Sequence, residues 1–278
     1  MISLRSLLNK KGESIQFLKG IEMRQRERTS LNRLCDIRDW EAGGVLSRIM
    51  EDLKEGCYIH RKAWEYAMCI YGLETLGVVN PSSCAISVGA GYERPLFYFS
   101  NKIKRMVATD LYEESGKEDE PFMLTSPENF APFPYKKDNL QVLRMDGTKL
   151  EFGDELFDFA FSLSAIEHFG SRDNMKKAMT ELFRVLKPNG VLCLTTEFIL
   201  NNSKHQEYFS LDELREYILG STKFLLAGGE IDLSISKNLL DDPIDVSIEK
   251  NLNISPHIIL KNGEVIWTSI VLFLRKPN

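Results

Sequence analysis

The sequence predicts a doubly wound α/β fold, and three observations carry that prediction. Apolar, β-like runs alternate with segments of helical periodicity through the middle of the chain. One stretch, Cys84 to Ser100 (CAISVGAGYERPLFYFS), begins β-like, passes through a Gly-Ala-Gly turn and restarts as a helix with Pro95 near its first turn. A strand delivering a glycine turn to a helix N-terminus is a place to hold a nucleotide-like group. Finally, Asp110 follows the next strand, 19 residues beyond Gly91. At that spacing an acidic side chain can reach a ribose hydroxyl in a βαβ nucleotide site.

The chain has 278 residues, 43% of them hydrophobic, and a formal net charge of -5. That is enough for one substantial core with a small appendage. Residues 1–56 read as an N-terminal helical segment and 57–278 as the main domain. The mild acidity argues against a protein that lives on phosphate backbones. Cys35, Cys57, Cys69, Cys84 and Cys193 form no CxxC pair and read as reduced core cysteines. No early apolar run resembles a signal peptide, and no stretch approaches membrane-spanning length, so a cytoplasmic location is expected.

The elements follow in order. Met23 to Ser30 (MRQRERTS) is a basic run that reads as a solvated helix face. His60 to Gly77 is an amphipathic helix with Trp64, Ala67, Met68 and Tyr71 on one face, expected over the sheet edge beside the first strand. Cys84 to Val88, Arg105 to Thr109, Leu140 to Met145, Leu156 to Leu163 and Val191 to Thr196 are five strands. The fourth (LFDFAFSL) is nearly continuous in apolar character, as a strand buried on both faces should be. Residues 112–137 form a long proline-bearing insertion whose aromatics mark it as either a lid or a packed excursion. Asn174 to Leu186 is a helix with Met175, Ala178, Met179, Leu182 and Leu186 on one face. Ser210 to Leu219 is a short helix, and Lys223 to Ser236 and Val265 to Lys276 are two further strands.

Taken together, SVGAGYE at 87–93, ATDLY at 108–112, MDGTKLEF at 145–152, FDFAFSLSAIEHFG at 157–170 and LFRVLKPNGVLCLTT at 182–196 resemble a class I S-adenosylmethionine-dependent methyltransferase. The resemblance covers roughly residues 57–276. It implies a Rossmann-like seven-stranded sheet, mostly parallel with an antiparallel C-terminal strand, plus the N-terminal helices. It also implies S-adenosylmethionine as cofactor. Gly89, Ala90 and Gly91 would line its methionine and ribose part, Asp110 would bind the ribose hydroxyls, and Leu111 would pack on the adenine. Asp146 would accept from the adenine amine, Gly147 would allow close backbone approach, and Ser164 would border the methionine moiety.

One physical point supports this cofactor over a dinucleotide. Glu93 stands near the helix N-terminus, where a carboxylate would repel a pyrophosphate in a desolvated pocket. S-adenosylmethionine has no phosphate and carries a cationic sulfonium and ammonium. Glu93 capping its own helix is the plainer alternative, and both can hold together.

The acceptor is read from Ile166-Glu167-His168-Phe169-Gly170 at the carboxyl end of the fourth strand. An alcohol is a poor nucleophile until a base takes its proton, and imidazole titrates near neutrality, which makes His168 the candidate base. Glu167 could orient His168, act as base itself or help hold a divalent metal; no cluster at metal-ligand spacing is present. His168 bracing the loop is the alternative. DNA base methylation is disfavoured, because no Asn/Asp-Pro-Pro-aromatic loop and no Pro-Cys nucleophile occur. SLSAIEHFG, HRKAWEYA at 60–67 and FAPFPY at 130–135 are similar to methyltransferases associated with bacterial surface polysaccharides, which implies a sugar hydroxyl on a glycan or small-molecule acceptor. The expected partners are such an acceptor, no DNA, no membrane insertion, and a protein bound through the N-terminal helices. A nucleotide-cofactor oxidoreductase and a non-catalytic scaffold of the same fold are the competing readings.

Overall fold

The computed structural model describes residues 28–40, 44–56, 59–112, 120–252 and 254–278. The chain enters through a short strand, β1 (Arg33–Leu34), then α1 (Val45–Asp52) and α2 (Arg61–Thr75). Next come β2 (Cys84–Val88), α3 (Arg94–Lys102), β3 (Arg105–Asp110), β4 (Leu140–Arg144), β5 (Phe157–Leu163), α4 (Arg172–Val185) and β6 (Leu186–Ile199). The C-terminal part holds α5 (Leu211–Glu213), continued by a π turn over Leu214–Leu219, then β7 (Leu225–Leu226), α6 (Lys237–Asp241), β8 (Ile244–Asp245), β9 (Leu260–Asn262) and β10 (Val265–Arg275).

Among the described residues ten strands form one sheet, ordered β4-β3-β2-β5-β6-β10-β9-β8, with β1 and β7 pairing on β10 off this path. The β4-to-β6 block is parallel, and β10 runs antiparallel to β6 from Trp267↔Ile199 to Arg275↔Val191. The doubly wound, mostly parallel sheet with an antiparallel C-terminal strand is therefore the observed architecture. Its far edge holds more than the expected seven strands. The outer side of β10 is shared by β9 at residues 265–267, β1 at 270–271 and β7 at 274–275. The predicted strand from Lys223 to Ser236 shrinks to β7. Gly228 and Gly229, both at positive φ, turn the chain away from β10 there.

Local chemistry explains the elements. The β2, β3, β5 and β6 strands carry buried aliphatic and aromatic side chains on both faces, as parallel strands under helices require, while β4 at the sheet edge is only half-buried. In α4, Ser171 caps the start by accepting from Asn174 N–H, and Met175, Ala178, Met179, Leu182 and Val185 are buried. Each of the larger side chains contributes about 1.5–3 kcal/mol of burial. His60 caps α2 by accepting from the Lys62 N–H at 3.0 Å. The α2 helix does not sit at the sheet edge as expected. It lies across β5, β6 and β10, and a Cβ on Gly72 would fall 2.0 Å from the Phe273 ring. Only glycine lets the helix settle that close to β10.

The N-terminal segment is tied to the sheet through β1. Arg28 is buried against Asp36 and Asp39, and the Trp64 indole donates to Asp39 at 2.6 Å. Arg28 is thus no part of a solvated face; residues 23–27 of the basic run lie outside the described residues. Leu46, Ile49 and Met50 of α1 are buried, so that apolar face is spent inside the molecule. Within the insertion, Met123 is buried, Phe130 stacks on Tyr92 with ring centres 5.1 Å apart, and Tyr135 meets Phe97 edge-on at 5.0 Å. Its described part is a packed excursion over α3. Cys35, Cys69 and Cys193 are buried free thiols, and Cys84 is half-buried. Among the described residues, no helix is long and apolar enough to cross a membrane.

Candidate active site

A cavity of about 860 Å³ opens at the carboxyl ends of β2, β3, β4 and β5. Open α/β sheets bind ligands at that end. The glycine turn after β2 forms its floor. Gly89 has φ +70°, and a Cβ there would meet Ala165 at 2.4 Å; Gly91 has φ +45° and leaves open space where a side chain would project. Asp110 closes the turn by accepting from Gly91 N–H at 2.8 Å.

Most of the predicted site residues come together here. Gly89, Gly91, Glu93, Asp110, Leu111, Asp146, Gly147, Ser164 and His168 all line this cavity. Two expectations need correction. Ala90 is fully buried and does not line it; its N–H donates to Thr109 O at 3.0 Å. Glu167 is fully buried beneath the loop and lines no part of the cavity. Its Oε2 accepts from the Thr196 hydroxyl at 3.0 Å, and Oε1 has no partner. Burial, with Glu197 nearby, pushes its carboxyl up to about 8. Glu167 therefore touches neither acceptor nor His168 from this position. Gly147 also serves differently: a Cβ there would strike Val88 at 2.6 Å and the Phe169 ring at 2.8 Å, so the glycine makes room for the protein's own packing.

One wall is a buried charged cluster that the sequence did not reveal. Lys62 on α2 reaches Glu65 Oε2 at 3.1 Å, Glu93 Oε1 at 3.2 Å and Leu163 O at 2.7 Å. Arg61 reaches Glu197 at 2.5 Å and Glu65 at 3.2 Å. Glu65 also accepts from the hydroxyls of Ser164 at 2.9 Å and Ser269 at 2.5 Å. Burial alone would raise Glu65, but Lys62 and Arg61 outweigh it and hold the carboxyl below its ordinary value. Ser164 is held at φ +50° with its hydroxyl turned to Glu65, a backbone strain that such a dense network can sustain. Glu93 immediately precedes α3 but makes no side-chain cap; its carboxyl group lies against Lys62 instead, with Oε1 at 3.2 Å from Nζ.

The opposite wall is open. His168 lies on the 3₁₀ turn after β5 with its side chain 57% exposed, and its Nδ1 is 3.3 Å from Glu207 Oε1. Glu207 was missed because 39 residues separate the two and nothing in the sequence links them. Its backbone is held on both sides. The His205 ring accepts from the Glu207 N–H at 3.2 Å, and Arg172 donates to Glu207 O at 3.2 Å and Tyr208 O at 2.7 Å. Arg172 itself sits over the Phe209 ring at 4.2 Å. His257 stacks on His60 with ring centres 4.3 Å apart, and burial holds it down at about 4; it lines no part of this cavity. A Tyr-x-x-x-Lys spacing of the kind hydride chemistry uses occurs at Tyr98 and Lys102. The Tyr98 hydroxyl is bound to Glu74 at 2.8 Å, and neither residue lines the cavity. A second, Tyr58 to Lys62, begins outside the described residues. Among the described residues, no group of three or more His, Cys, Asp or Glu could hold a metal.

Comparisons with known proteins point the same way. A family model described as a methyltransferase domain matches residues 86–194, from within β2 to within β6. An uncharacterized protein of Haemophilus influenzae is 37% identical over 82 residues, which are 30% of this chain and 31% of that protein. A tRNA (carboxymethyluridine(34)-5-O)-methyltransferase of Arabidopsis thaliana is 36% identical over 55 residues, 20% of this chain and 14% of that one. The matches thus span less than a third of either curated relative. The crystal structure of YcgJ from Bacillus subtilis superposes with a TM-score of 0.52 at 16% identity, covering 77% of this chain and 98% of that one, a likeness of fold.

Proposed function

We propose that the chain is a class I S-adenosylmethionine-dependent methyltransferase, a reading that the methyltransferase-domain match over residues 86–194 supports, and that it transfers the methyl group to a hydroxyl of a small-molecule or glycan acceptor, a sugar hydroxyl first among them. The cofactor of such a domain is S-adenosylmethionine, and the residues of the cavity fit it. Glu93 is a buried acid with one oxygen unpartnered, suited to a cationic ligand and unsuited to a pyrophosphate. The space left at Gly91 lets a ligand lie against the backbone. Asp110 at the end of β3 and Asp146 just after β4 line the cavity and would take the ribose hydroxyls and the adenine amine.

Bound there, S-adenosylmethionine supplies an electrophilic methyl group on sulfur. The observation that carries the hydroxyl reading is the pairing of His168 Nδ1 with Glu207 at 3.3 Å. With Nδ1 facing that carboxylate, a small turn of the exposed ring would let Nδ1–H donate to it and leave Nε2 its lone pair for the acceptor proton. The acceptor oxygen would bond the methyl carbon as the carbon–sulfur bond breaks and S-adenosylhomocysteine leaves, and His168 would take the acceptor's proton. Glu207 is the positioning residue, fixing the tautomer, in place of Glu167. The sugar class rests on the sequence likeness; Tyr66 and Tyr92 on the cavity wall offer flat surfaces for a pyranose.

Mass spectrometry of surface glycans and small molecules from cells with and without the protein tests the acceptor. A species lacking one methyl mass in the deleted strain supports the reading, and its return with a His168→Ala copy would overturn the role of His168.

A further inference from the structure

We propose that Glu93 exchanges a proton for the ammonium group of the cofactor's amino-acid tail, so that cofactor binding expels a proton and the site selects adenosyl ligands that carry an α-ammonium. This rests on the cofactor reading above and adds to it a coupled equilibrium and a ligand class.

The geometry is specific. Glu93 stands at the first turn of α3, only 7% exposed, on the cavity wall. Its Oε1 is 3.2 Å from Lys62 Nζ, and its Oε2 is buried without any hydrogen-bond partner. Lys62 donates to Glu65 and to Leu163 O and meets Glu93 only through Oε1 at 3.2 Å, leaving Oε2 unserved. The neighbours do not balance the charge. From α2, Lys62, Glu65 and Tyr66 face Glu93; from the end of β3, Asp110 does. On α3 itself, Arg94 is committed to Glu55 at 2.8 Å. Glu65 and Glu93 thus share the one ammonium of Lys62, Asp110 adds a further negative charge near Glu93, and Arg61 is held by Glu65 and Glu197. Burial, reinforced by Glu65 and Asp110 and only partly offset by Lys62, pushes the Glu93 carboxyl up to about 8.

Near neutrality the empty site therefore holds a carboxylic acid. An arriving ammonium supplies the missing countercharge and a donor for Oε2. The O–H bond of Glu93 breaks, its proton goes to solvent, and a carboxylate–ammonium pair remains. A ligand without the ammonium offers nothing that would ionise Glu93.

Calorimetry on the whole protein near pH 7, in phosphate and in Tris, reads the released proton directly. S-adenosylhomocysteine is the probe, because it carries the ammonium and undergoes no reaction. Binding should release about one proton, and affinity should increase with pH, by up to about tenfold for each unit that the pH is raised towards neutrality. The gain levels off as Glu93 itself ionises near about 8. Glu93→Gln, nearly isosteric, should still fold by its circular dichroism and bind without proton release. 5′-Methylthioadenosine, which lacks the amino-acid tail, should bind without release to either form. Equal binding heats in the two buffers for wild type, or release that persists in Glu93→Gln or with methylthioadenosine, would overturn the proposal. Failure of S-adenosylhomocysteine to bind at all would overturn the cofactor reading, and this proposal with it.

Discussion

The two walls of the cavity are built on opposite physical terms. On the α2 side, Arg61, Lys62, Glu65, Glu93 and Glu197 are packed out of water and held by one another. On the other side, His168, which lines the cavity, and its neighbour Glu207, which does not, stand 57% and 42% exposed and meet at 3.3 Å. Buried charges are costly to desolvate and rigid once paired, whereas exposed pairs contribute little to stability. The difference separates tasks. The dry wall can fix a cofactor tail and tune an acid. The wet wall can admit an acceptor and move a proton without the fold depending on it.

The sharpest way to break this comparison is to remove a charge from each wall. Glu65→Ala leaves Lys62 and Arg61 partly uncompensated in the interior and should cost about 3–5 kcal/mol in urea unfolding. Equal stability would mean that the dry wall is not held by its charges. His168→Ala should leave unfolding and S-adenosylhomocysteine affinity unchanged while turnover falls by about 100-fold or more. A turnover within twofold of wild type would remove it as the base. Asp110→Ala should weaken S-adenosylhomocysteine by roughly 10–100-fold, since hydrogen bonds to a charged group are worth about 1.5–3 kcal/mol. Calorimetric affinity that stays put would show the ribose lying elsewhere.

A subtler effect is the pH dependence of stability. Glu167 has a folded value near 8 against an unfolded value of about 4.3, so the folded state holds the extra proton between them. Its stabilising share is full below the unfolded value and is lost as pH rises through about 8. Wild-type unfolding free energy should therefore decline across that window, by up to about 1.4 kcal/mol per pH unit from this group. Glu167→Gln should remove that share of the slope; an unchanged slope would mean that Glu167 is already ionised. The smallest effect is expected for Glu207→Ala, within about 0.5 kcal/mol in unfolding, although it should slow turnover. A large loss of stability there would erase the distinction between the walls.

Much of this site was legible before any coordinates. Gly89, Gly91, Asp110, Asp146 and Ser164 follow strand ends at short range, and parallel strands place their carboxyl ends side by side, so spacing alone gathers them. Glu167 was misread because adjacency to His168 says nothing about direction. On a 3₁₀ turn neighbouring side chains diverge, and here one turns into the interior and the other to solvent. Lys62 and Glu65 were visible in HRKAWEYA as a resemblance, without the charges they meet. Glu207 gave no local signal, because its position depends on Arg172 and His205 from separate segments.

The sequence by itself determined the alternation of strands and helices, the glycine turn after β2 and the carboxylates that follow β3 and β4. These depend on periodicity, φ preference and chain spacing, all of which are local. Only the tertiary structure decided that α2 lies across β10 rather than at the sheet edge, that Glu93 pairs with Lys62 instead of capping α3, and that Glu207 rather than Glu167 meets His168. Burial and pairing of charge depend on which distant side chains arrive at the same place, and no local pattern carries that information.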